Sequence, residues 1–188
     1  MKTLTPQQIE DQLTEHIPHR LCLLVTFRDR QDWFRKRVGS MDNDLLRVSK
    51  DSTLIAIRQF ADFLGFHLDN GKLVPESKEP KGDDVRVDML GGDVVDISKL
   101  GSDEALLVGL LKRGSKELAH LTSNYTRHDD FNTAKALIDG ITLIETLLRK
   151  HLYEKLKLPF PNLLDEKYLR FDEWNFPDGP KSPTTFVK

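Results

Sequence analysis

Residues 103–158 read DEALLVGLLKRGSKELAHLTSNYTRHDDFNTAKALIDGITLIETLLRKHLYEKLKL. In the first half Leu107, Leu110, Leu111, Leu118, Leu121 and Tyr125 recur at steps of three and four. That is one face of a 3.6-residue repeat and predicts a helix over Asp103–Tyr125. In the second half Ala134, Leu137, Ile138, Ile141, Ile144, Leu148, Leu152 and Leu156 form one stripe, and Ala136, Gly140, Leu143 and Leu147 form another beside it. These predict a helix over Asp130–Leu156, reached through the polar turn Thr126-Arg127-His128-Asp129. A helical hairpin of this kind buries its stripes only against other helices, which decides for a mainly α bundle. Gly114 lies on the apolar face of the first helix. A mid-helix glycine costs about 1 kcal/mol against alanine, so close approach of another helix is expected there. The second helix is apolar over more than half its circumference, so it is either central in the domain or shared with a second subunit. Asp139, Glu145 and Arg149-Lys150-His151 make it too polar to span a membrane.

The chain upstream supplies the partners. Thr5-Pro6-Gln7-Gln8 is a helix start, with threonine as cap, proline in the first turn and Gln8 closing a capping box. Ile9, Leu13 and Ile17 then line one face, and Pro18 is expected to break or kink that helix. The run His19–Arg30 alternates well enough for a strand, but its flanks favour a buried helix. A long helix is expected over Asp44–Phe66, with an interruption near Asp51-Ser52 in view. Its core positions are Leu54, Ile57, Phe60, Ala61 and Leu64, with Ile55 and Phe63 on a wider face. Arg58 sits among them with Asp62 one turn on as its natural partner.

Between Gly65 and Leu100 the pattern changes. Asp69-Asn70-Gly71 reads as a hairpin turn between His67-Leu68 and Lys72-Leu73-Val74. Val85–Leu90, Gly91-Gly92 and Asp93–Ile97 read as a second and clearer β-hairpin. After Leu158 the chain is proline-rich yet carries Phe160, Leu163, Leu164, Tyr168, Leu169, Phe171, Trp174 and Phe176. That is too apolar for a disordered tail. It reads as a strap over the bundle, ordered to about Phe176, or as a segment that docks on a partner subunit. The expected fold is therefore mainly α: a bundle of about five helices with a small antiparallel β-hairpin insertion and an extended C-terminal strap. One helical domain spans 1–176, with its β insertion at about 66–98, and 177–188 form a flexible tail.

The totals narrow the function classes. The 188 residues are 31% charged and 38% hydrophobic with a formal net charge of -2, so a folded single domain is expected, without bulk attraction to nucleic acid. The one cysteine, Cys22, lies in an apolar run; it excludes an internal disulfide and fits a reducing, cytoplasmic setting. No secretory signal is legible, and no apolar run reaches the roughly 18 residues of a membrane helix, so no membrane association is expected.

Three features invite a functional reading. Arg28, Arg30, Arg35, Lys36 and Arg37, with Trp33 and Phe34 interleaved, have the charge and stacking surfaces of a single-stranded nucleic-acid contact. An exposed helix end with Asp29 and Asp32 as partners is the commoner reading of such a cluster on a globular protein. Asp83, Asp84, Asp88, Asp93 and Asp96 suggest a cation, but their spacing fits no calcium loop or di-metal motif, so no metal and no cofactor is expected. On the first helix of the hairpin, Arg113 and His120 are separated by six residues and return to one face, with Lys116 and Asn124 alongside. His128, in the turn, is a second candidate acid or base. Phosphate loops, paired-cysteine sites, His-Glu-x-x-His and nucleophile elbows are absent from the sequence.

Three stretches carry a resemblance. Pro18–Leu24 with Thr26-Phe27-Arg28, Ser49-Lys50-Asp51 running into Ile57–Phe60 and Phe63-Leu64-Gly65, and Ser115–Thr122 together resemble a group of uncharacterised bacterial helical proteins over most of residues 1–160. More remotely, Arg113 and His120 resemble the signature of the HEPN superfamily, helical bundles that include metal-independent ribonucleases. That resemblance implies acid–base work by His120 on a ribose 2′-hydroxyl or leaving oxygen, with Arg113 neutralising charge on the phosphoryl oxygens. Gly114 stands where those nucleases usually carry a polar residue after the arginine. Two readings stay open: a non-enzymatic helical protein-interaction module or homodimeric regulatory protein, and a HEPN-like ribonuclease acting on RNA through Arg113 and His120. A homodimer is expected under either, from the second stripe on the Asp130–Leu156 helix.

Overall fold

The computed structural model describes residues 3–29, 40–76, 80, 84–116 and 131–163, with 40–47, 115–116 and 131–133 given by backbone alone. Helix α1, Pro6–Asp11, starts as the sequence predicts: Thr5 Oγ1 accepts from the Gln8 N–H at 3.2 Å, and Gln8 Oε1 accepts from the Thr5 N–H at 2.9 Å. Pro18 does not end the rod. A π-helical turn, Gln12–His16, links α1 directly to α2, Ile17–Asp29, and the Ile17 N–H reaches back to the Gln12 carbonyl. Proline offers no N–H to the carbonyl four residues earlier and its ring crowds it; a wider turn just before Pro18 relieves the crowding without breaking the helix.

Helix α3, Ser40–Phe63, runs without interruption through Asp51-Ser52. It stops earlier than expected because Gly65 turns left-handed at φ 89°, which frees Phe66 to open a strand. Helices α2 and α3 lie antiparallel: Arg20 bonds Gln59 near one end of the contact, and Thr53 Oγ1 reaches the Leu24 carbonyl at 3.5 Å nearer the other. Strands β1, Phe66–Asp69, and β2, Lys72–Pro75, pair antiparallel, with Asp69 opposite Lys72. Asn70 and Gly71 both have positive φ, 47° and 80°, the geometry a two-residue hairpin requires.

The second expected hairpin is not one. Val87–Leu90 is a 3-10 turn closed by left-handed Gly91, and Ile97–Lys99 is another. The donors that would have bonded across a strand pair go to helix-end carbonyls instead. The Asp93 N–H bonds the His151 carbonyl at 2.9 Å, and the Val95 N–H bonds the Leu64 carbonyl at 3.1 Å. Val87, Leu90 and Val95 are buried, so the alternation that suggested a strand is that of a loop pinned to the bundle at intervals. Gly92 is required by this docking, since a Cβ there would stand 2.6 Å from the His151 carbonyl oxygen.

The helical hairpin follows. Helix α4 is described over Asp103–Lys116; its expected continuation to Tyr125 and the turn 126–129 lie outside the described residues. Helix α5, Phe131–Leu148, passes through a π turn, Arg149–Tyr153, into a last turn, Glu154–Leu156, as the stripe from Ala134 to Leu156 implies. It touches α2, α3 and α4, and α3 in turn touches α2, α4 and α5, so these two helices share the middle of the bundle. Gly140 faces Leu110 of α4 and Ile57 of α3, and Leu147 is buried, so much of the second stripe is covered within the chain. Gly114 meets α3 as predicted, its missing Cβ standing 3.2 Å from the Leu54 carbonyl oxygen. Leu21, Ile57, Leu107, Ile141, Ile144 and Leu148 are fully enclosed at the centre. Beyond left-handed Lys157, Phe160 packs edge-on to Tyr153 at 5.1 Å and lies under the Arg149 guanidinium at 4.0 Å. Leu163 packs against the core, and its carbonyl accepts from the Cys22 thiol at 3.8 Å.

Candidate functional site

Of the residues proposed for phosphate chemistry, the structure places one side chain. Arg113 is partly buried on α4, next to the point where Gly114 meets Leu54 and the Cβ of Arg58. Lys116 is described by its backbone alone, and His120, Asn124 and His128 lie outside the described residues.

The basic cluster is reduced in the same way. Arg30, Trp33, Phe34, Arg35, Lys36 and Arg37 fall outside the described residues, while Arg28 at the end of α2 is already engaged. Its guanidinium bonds Asp29 at 2.7 Å and Glu145 of α5. The Asp29 bond, with Glu145 behind it, holds Arg28 above its ordinary pKa against the opposing effect of burial. A charge tied down by two carboxylates is a helix-to-helix clamp and offers little to a phosphate.

Three acidic residues of the 84–98 loop are likewise paired, while Asp84 is exposed. Asp88 takes a two-pronged bond from Arg86 at 2.8 Å on each oxygen, which holds its carboxyl below the usual range; Arg86 also donates to the Glu76 carbonyl at 3.2 Å. Asp93 pairs with Lys155 at 2.9 Å, and Asp96 with Lys99 at 3.0 Å and with Ser98. Asp83 lies outside the described residues. Among the described residues no three His, Cys, Asp or Glu side chains converge as metal ligands would. Cys22 is buried, and the lost hydration raises its thiol pKa, which suits a packing residue rather than a nucleophile.

The surface that stands out is apolar. Leu23 is 43% exposed and Ile55 47%, although the sequence placed the first in a buried run and the second on a core face. Their positions follow from the exposed Arg20–Gln59 bond. Leu23 is three residues on from Arg20, and Ile55 is four before Gln59. The helices run antiparallel, so both steps go the same way along the seam and bring the two side chains side by side. Val48, 61% exposed, lies two turns further along α3 on that face. Periodicity could not find this seam, because a stripe slightly wider than the core contact looks the same in sequence whether or not its edge is covered. Arg58, expected among core positions, is exposed as well.

The fold defines a mainly helical protein carrying a two-stranded antiparallel sheet. Among the described residues no helix is long and apolar enough to cross a membrane. No family model matches the chain, and no curated protein or solved structure matches it.

Proposed function

We propose that this chain is a non-enzymatic helical interaction module of the cytoplasm that works as a homodimer through the α2–α3 seam. The observation that supports this is the exposed pair Leu23 and Ile55, with Val48 beyond it. Apolar side chains grouped on one helix seam lose unfavourable hydration when a second surface covers them. Arg28 at the end of α2 and Asp88 and Asp93 of the loop, by contrast, are already paired within the chain. The test is the molar mass of the intact chain by sedimentation across a concentration series. A dimer is expected, and the Leu23→Asp/Ile55→Asp double variant is expected to remain helical and run as a monomer. A monomer at every concentration, or a dimer that ignores the double variant, removes the proposal.

The ribonuclease alternative rests on Arg113 among the described residues. It calls for cleavage of RNA in the presence of chelator, abolished by His120→Ala with the fold retained.

A further inference from the structure

The last described residue of the strap, Leu163, lies beside the seam. The Leu163 carbonyl sits on the Cys22 thiol, and Leu163 itself packs against the core, so the strap reaches α2 on the flank next to Leu23. Cys22 and Arg20 lie on opposite sides of Leu23 around the helix, and Arg20 faces α3. Leu23 therefore lies between the Leu163 contact and α3, with Ile55 on the far side of the seam. Neighbouring helix axes stand about 8–10 Å apart, and extended chain covers about 3.3 Å per residue, so some three residues cross the gap. The sequence after that point supplies Tyr168, Leu169, Phe171, Trp174 and Phe176 within the first half of its last 25 residues.

We propose that the segment following Leu163 lies across the α2–α3 seam of its own chain, with Tyr168, Phe171 and Trp174 against Leu23 and Ile55, and that a partner binds by displacing it. The inference rests on the seam being an interaction surface and makes the strap its resident competitor. Phe160, held by Tyr153 and Arg149, anchors the strap so that displacement beyond Leu163 need not unseat the rest. A tethered segment competes at high effective concentration, so it raises the partner concentration needed for assembly without any new contact.

The experiment uses the full chain with Trp33→Phe, which leaves Trp174 as the sole tryptophan. At dilutions where sedimentation reports monomer, Trp174 is expected to emit to the blue of the urea-unfolded chain and to resist acrylamide quenching. Ile55→Asp is expected to move both readings to the unfolded values while helical circular dichroism is kept; Ile55→Ser serves if the aspartate variant loses helix. In the otherwise native chain, Trp174→Asp is expected to shift any dimerisation to lower concentration. Water-like emission in the dilute monomer overturns the inference, as does emission unchanged by either Ile55 variant. Shielding that vanishes on dilution also overturns it and assigns the segment to a second copy. Shielding in a chain that never dimerises removes the homodimer while leaving the docked strap intact.

Discussion

Gly140 shows at the scale of one residue how closely α4 packs on α5. A Cβ there would stand 2.2 Å from Leu110 Cδ1 and in ordinary contact with Ile57 Cδ1 at 3.6 Å, so any larger side chain has to displace Leu110. Gly140→Val should therefore lower stability by about 1–3 kcal/mol, the usual cost of overpacking, read as a lower urea midpoint at unchanged slope. Titratable residues set the pH response. Burial holds the His151 imidazole below its ordinary 6.5, with the bond to the Asp93 carbonyl opposing in part. The Arg86 bonds hold Asp88 below the usual carboxylate range. In both cases the unfolded chain binds protons more readily than the folded one, so each group contributes stability at neutral pH that is lost on acidification, whereas Asp62, raised by burial, acts in the opposite sense. His151 acts first, as pH drops below the ordinary imidazole range, and Asp88 later, as pH falls through its own depressed value. Urea midpoints measured from neutral to about pH 3 should show both stages. His151→Gln should flatten the upper stage, and Arg86→Gln the lower.

Elements divide by whether their partner is local. The capping box at Thr5, the hairpin turn at Asn70-Gly71 and helix α5 each carry their cause within a few residues, and each was legible in the sequence, whereas the alternation of His19–Arg30 suited a strand and only its flanks pointed to the helix α2 proves to be. The 84–98 loop was not legible. Its alternation of apolar and polar residues is real, but its backbone donors answer to His151 and Leu64, far away along the chain. Pro18 belongs with it, since the remedy for a helical proline is a choice between a break and a wider turn, and the packing of Ile17, Pro18 and Leu21 into the core favours continuity. Gly92→Ala tests the loop's docking: the new methyl would meet the His151 carbonyl and Val87 Cγ2, each at 2.6 Å, so the melting temperature should fall clearly. A tight two-residue hairpin would tolerate alanine there better.

Across the whole molecule, periodicity from residue 103 onward was enough to specify a helical bundle, because burial of a stripe every three to four residues requires helix and requires neighbours. It also specified one place where helices approach closely, at Gly114. The candidate site was legible only as residue types at a spacing: Arg113 is placed on α4, and its proposed partner His120 lies outside the described residues. What tertiary structure alone decided was which apolar residues remain uncovered and which charges are already taken. Leu23 and Ile55 read as core and stand in solvent, whereas Arg28, read with Asp29 as its local partner, also bonds Glu145 and clamps α2 to α5. The reason is physical. A sequence states which side chains would gain from burial or pairing, but coverage depends on how far each neighbouring helix extends over a stripe, and that is known only when the helices are packed together.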